Sequence, residues 1–136
     1  MIRQAVSDDL TNMLLLFKKQ HASMGCDWEI KTAVLFDTFS KAIKSPENWL
    51  VLFGDECLLL AACFESPVGA GMVAQEICFC ASPGNRDRVL SMYHEWARSK
   101  GCRTSSLSCV ERPEVFARLY RKHGYALAET TFAKVL

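Results

Sequence analysis

The sequence predicts an α/β domain of the α+β type, in which a mixed, mostly antiparallel central sheet is flanked by about four helices. Three observations predict it. Three apolar runs in the middle of the chain are joined by short turn-like segments. Segments of helical period lie on both sides of that block. One strand–helix–strand unit follows it, not the repeated alternation of a doubly wound sheet. The 136 residues suit a single domain over 1–136.

The elements follow in order. Residues 1–6 read as a first strand. Ser7, Asp8 and Asp9 place a cap and early carboxylates at a helix start. Leu10, Met13, Leu14 and Phe17 continue it at helical spacing, with Lys18 and Lys19 in the last turn and a loop over 21–26. Asp27 is the expected cap of a second helix, with Ile30, Val34, Phe36, Phe39 and Ile43 near one stripe. Ser45-Pro46 ends it. Runs 49–53 and 57–64 form a hairpin across Gly54-Asp55-Glu56, and run 72–81 follows a glycine-rich turn. A helix from about 85 to 100 buries Val89, Tyr93, Trp96 and Ala97 and stops at Gly101. A strand over 103–110 lies beside the third run, with that helix as crossover. Pro113 opens a last helix, which stops at Gly124. Strands over 125–128 and 130–136 complete a seven-strand sheet.

Composition narrows the function classes. Half the residues are hydrophobic and 23% are charged, enough apolar material for one core. No apolar run approaches the roughly 18 residues that span a membrane. The start, MIRQAVSDDL, lacks the layout of a signal peptide. These features place the chain in the cytoplasm, or within a particle assembled there, with no membrane partner. The seven cysteines are odd in number and sit mostly in apolar runs, as buried free thiols do. Cys78 and Cys80 are two apart on a strand and share a face. No paired Cys spacing with His partners points to zinc, so no metal is expected. Trp28, Trp49 and Trp96 read as core anchors. Residues 1–83 carry 6 basic and 10 acidic side chains, and residues 84–136 carry 10 basic and 5 acidic. The basic half suits a phosphorylated ligand or an acidic protein. Nucleic acid is the weaker partner, because the basic and aromatic residues of RLYRKHGY alternate as an amphipathic helix requires.

Three phrases resemble the GNAT superfamily of acetyl-CoA-dependent N-acyltransferases: IRQAVSDDLTNMLLL at the start, EWARSKGC at 95–102 and FARLYRKHGYALAET at 116–130. The resemblance covers nearly the whole chain in order and length. It implies that an amine substrate attacks the thioester of acetyl-CoA. It makes Glu76 the expected base, with Glu111 a weaker candidate, and Tyr120 the group that protonates the leaving thiolate. It places the pantetheine between the strands over 72–81 and 103–110. Ala81, Arg86, Arg88 and Val89 would hold the cofactor.

The chain departs from the family at the pyrophosphate loop. The family form, R/Q-x-x-G-x-G/A, lets successive backbone N–H groups cradle the phosphates. Here Ser82-Pro83-Gly84-Asn85-Arg86-Asp87-Arg88-Val89 has one glycine and is about five residues shorter. Asp87 brings a negative charge there, and Pro113 replaces a frequent Asn. Weakened cofactor binding is therefore expected. The shortened form is similar to phage-encoded GNAT-like proteins, which implies an alternative role as a lapsed enzyme serving as a virion or protein-interaction component.

Overall fold

The computed structural model describes residues 1–23, 29–69, 71–109 and 113–136, except for the side chain of Pro113. Asp27 and its expected cap, Gly25, Cys26, Trp28, Glu111 and the expected strand end at Val110 lie outside the described residues. Among these residues the elements run β1 (Arg3–Gln4), a 3-10 turn (Ser7–Asp9), α1 (Leu10–Ser23), α2 (Thr32–Ile43), β2 (Trp49–Gly54), β3 (Cys57–Glu65), β4 (Met72–Cys80), a second 3-10 turn (Pro83–Asn85), α3 (Arg86–Ser99), β5 (Thr104–Ser106) and α4 (Pro113–Lys122). The sheet order is β1-β2-β3-β4-β5. Every pairing is antiparallel except that of β4 with β5.

Alternation along the strands builds a core on each face of the sheet. Leu50, Leu52, Leu59, Ala61, Cys63 and Ala74 face α3 and meet Val89, Tyr93, Trp96 and Ala97. Val51, Leu58, Leu60 and Cys80 face α1 and α2 and meet Leu10, Met13 and Phe39. One β-bulge breaks the alternation. Glu76 pairs with Ala61 and Cys78 with the adjacent Leu60, so Ile77 is the extra residue. Glu76 therefore faces the α3 side with Ala74, while Cys78 and Cys80 face the other.

Helix ends follow their local chemistry. The Ser7–Asp9 turn is held by Asp9, which accepts from the Val6 amide at 2.8 Å and from both terminal nitrogens of Arg3 at 2.7 and 3.0 Å. Arg3's hydrogen bonds, then the Val6 amide, lower the Asp9 pKa. Gly101 and Gly124 end α3 and α4 with φ of +74° and +87°. In each case the following amide bonds back five residues, Cys102 to Ala97 and Tyr125 to Tyr120.

Several sequence expectations are corrected. α1 runs to Ser23, because no helix breaker stands before Gly25, so Lys18 and Lys19 lie inside it. The stripe of α2 is Leu35, Phe39, Ala42 and Ile43. Val34 and Phe36 face solvent, and Ile30 precedes the helix. β5 has three residues, not the eight expected. Residues 125–136 form no strand, and Leu127, Phe132 and Val135 are exposed. Their pattern suits a strand, but the edge they would join offers only the short β5 ladder.

The β2–β3 turn makes a testable point. Asp55 and Glu56 take φ of 50° and 59°, the type I′ hairpin geometry that favours glycine at the second position. A left-handed non-glycine residue costs about 1–2 kcal/mol. Glu56→Gly is expected to raise the melting temperature by about 2–5 °C, read by thermal unfolding. The Lys19–Glu56 pair it removes spans 3.8 Å between exposed groups and contributes little.

Candidate active site

The site forms where two strands part. β4 and β5 pair only at Val73–Thr104, Ala74–Ser105 and Gln75–Ser106. Beyond Gln75 the bulge turns β4, while the chain after Ser106 leaves the ladder. A cavity of about 590 Å³ occupies the opening and reaches both faces of the sheet. Phe79, Phe116 and Tyr120 wall it on the α3–α4 side. Leu16 and Phe17 of α1 wall the other.

Glu76 lies at the fork. Its side chain is 6% exposed, and one carboxylate oxygen, Oε2, accepts from the Ser108 amide at 3.0 Å and the Ser108 hydroxyl at 2.8 Å. Burial pushes the Glu76 carboxyl above the usual range, against the pull of those two hydrogen bonds. Tyr120 is also buried, and its hydroxyl donates to the Ser108 carbonyl at 2.7 Å. Burial first, and then the Glu76 charge, raise the phenol and keep it protonated. Ser108 thus ties the two side chains together through its amide, hydroxyl and carbonyl. Sequence reasoning missed it. The only signal was a polar residue within the run TSSLSC.

Arg86 lines the same cavity at the start of α3. Its guanidinium lies 4.9 Å from the centre of the Phe116 ring. Its Nε is buried and has no hydrogen-bond partner among the described residues. Phe116 in turn meets Phe79 and Tyr120 edge-on or tilted, at 6.3 and 5.9 Å. Ala81 also lines the cavity. Arg88 is exposed and Val89 is fully buried in the core, and neither side chain lines the cavity.

The segment between β4 and α3 holds a single 3-10 turn, Pro83–Asn85. Asn85 donates to Ser82 through both its amide and its side chain, each at 2.9 Å. Asp87 faces α4 rather than the cavity. It accepts from Lys122 at 3.2 Å and His123 at 2.6 Å, so the charge that the sequence placed at the loop is engaged at the end of α4. Cys78 and Cys80 line the cavity from the α1 side. The neighbouring Cys80 and burial raise the Cys78 thiol, as suits an unreactive hydrophobe. His94 bonds Tyr125 at 2.7 Å, outside the cavity. Among the described residues, no helix is long and apolar enough to cross a membrane.

No protein-family model and no curated protein sequence matches the chain. Solved structures do. A predicted acetyltransferase from Clostridium acetobutylicum, solved with acetyl-CoA, superposes with a TM-score of 0.72 at 13% identity, covering 99% of this chain and 95% of that one. An aminoglycoside antibiotic 6'-N-acetyltransferase from Acinetobacter haemolyticus gives 0.70 at 17% identity, covering 100% and 99%. Glucosamine-6-phosphate N-acetyltransferase from Arabidopsis thaliana gives 0.71 at 13% identity, covering 99% and 97%. Identities this low speak for the fold. With the element order, the bulged β4 and the β4–β5 fork, they establish that this chain has the fold of the GNAT N-acetyltransferases.

Proposed function

We propose that the protein is an acetyl-CoA-dependent N-acetyltransferase acting on an amine. The observation that carries this reading is the β4–β5 fork, where a buried carboxylate, a protonated phenol and a guanidinium line one cavity. Acetyl-CoA would supply an activated acyl thioester. The Arg86 guanidinium, stacked on Phe116 with an unpartnered Nε, suits a phosphate oxygen. Arg88 would add an outer contact, and the backbone at Ala81 and Val89 would flank the acyl and phosphate ends. Glu76 would take the proton of the attacking amine, and a raised pKa brings its basicity closer to that task. Tyr120 stays protonated and can donate to a departing sulfur.

The turn at Pro83–Asn85 favours a second reading, a lapsed member of the fold that binds a protein partner, because it lacks the glycine-rich nest. Isothermal calorimetry with acetyl-CoA separates the two. The enzyme reading expects saturable heat with a dissociation constant in the high micromolar to millimolar range. Arg86→Ala should weaken it about 10- to 150-fold through lost charge-assisted hydrogen bonds of about 1.5–3 kcal/mol. Arg88→Ala should weaken it far less. No heat at millimolar acetyl-CoA would favour the lapsed reading.

A further inference from the structure

Glu76 lines the cavity but offers an arriving amine little surface. Only 6% of its surface is open, and its Oε2 is covered by the Ser108 amide and hydroxyl. Ser108, by contrast, is exposed and lines the same cavity. Its hydroxyl proton is engaged by Glu76 at 2.8 Å, which leaves the oxygen lone pairs for a donor arriving in the cavity. The backbone fixes this arrangement from both sides. The Ser108 amide holds the carboxylate at 3.0 Å, and the Ser108 carbonyl is held by Tyr120 at 2.7 Å. The hydroxyl therefore lies between the cavity and the buried base with little freedom to leave.

From this geometry we infer that Ser108 is a catalytic residue, the hydroxyl through which Glu76 receives the proton of the acceptor amine. This rests on the acyl-transfer reading above. The substrate N–H bond breaks as a new O–H bond forms on Ser108 Oγ. The original Ser108 O–H bond breaks as Glu76 Oε2 takes that proton. The serine ends neutral, the carboxyl is protonated, and the freed nitrogen lone pair is available to the acyl carbon. No oxidant, metal or further reactant enters the balance.

Ser108→Ala removes one hydroxyl and leaves the amide and carbonyl bonds of residue 108 in place. Ser108→Thr keeps a hydroxyl. The first readout is an NMR titration of the Glu76 carboxyl carbon in the whole protein without ligand. The Ala variant should titrate at a higher pH than wild type, and Thr should restore the wild-type position. An unchanged titration in Ser108→Ala would overturn the relay. The second readout is CoA release from acetyl-CoA with spermidine, and with water as the background acceptor. Ser108→Ala should lower kcat by about 10²-fold, the lower end of general acid–base effects, with little change in KM for acetyl-CoA. Thr should recover most of the rate. Full activity in Ser108→Ala beside an inactive Glu76→Gln would sink the relay and spare the base. Full activity in Glu76→Gln would sink both.

Discussion

Glu76→Gln is expected to lower amine acetylation by about 10²- to 10⁴-fold, the range of a general base, while the protein stays folded. The amide keeps an oxygen for the Ser108 amide and hydroxyl, so the local bonds survive. What it loses is the capacity to hold a proton. The change also separates function from stability. Burial places the Glu76 carboxyl above its ordinary value. In the folded state the group thus prefers its neutral form. That preference favours folding below the ordinary glutamate range, and the contribution is lost as pH rises through the raised value. The glutamine variant has no such loss. Its melting temperature relative to wild type should climb across that window and then level off, at or above wild type near pH 7. Thermal melts of both proteins across the acidic and neutral range read this directly. A variant that lost activity only because it unfolded would show the opposite.

Tyr93→Ala should destabilise the fold by about 3–5 kcal/mol, the cost of truncating a fully buried aromatic to alanine. Tyr93 is 0% exposed and stacks with Trp96 at 6.3 Å. Its hydroxyl reaches across to the Ser106 carbonyl at 3.2 Å. That bond anchors the last residue of β5, the strand whose departure from β4 opens the cavity. The loss is a large share of the roughly 5–15 kcal/mol typical of a domain. Tyr93→Phe keeps the ring and should cost only about 1 kcal/mol, the net value of one hydrogen bond. Urea unfolding of the two variants gives both numbers. Equal costs would mean that the hydroxyl, not the packing, holds β5 in place.

Much of the fold was legible because two physical signals agreed. The runs at β2, β3 and β4 are apolar and bounded by turn residues, and α3 places Val89, Tyr93 and Trp96 at helical spacing. The last two strands misled because propensity describes a segment and not its neighbour. Residues 130–136 suit a strand, but β5 offers a three-residue edge. The α2 stripe was rotated because Val34, Leu35, Phe36 and Phe39 are all apolar, and only packing selects Leu35 and Phe39.

The candidate site was legible in part. Glu76 stood out as an acid inside an apolar run. The bulge at Ile77 did not, since apolar residues stand on both sides of it, and it is the bulge that turns Cys78 and Cys80 away from Glu76. Arg86 and Arg88 looked equivalent in sequence. Two positions on a helix lie about 200° apart, so only one of them meets the cavity. Ser108 carried no signal beyond being polar in TSSLSC, because its role depends on where β5 ends.

Whether the opening between β4 and β5 receives an acyl thioester is best decided by backbone amide NMR during titration with acetyl-CoA. The amides of Ile77, Phe79, Ala81 and Ser108 should shift together and saturate, while Leu52 and Leu59, deep in the sheet, stay in place. Saturable shifts confined to some other surface, or none at millimolar ligand, would contradict the account.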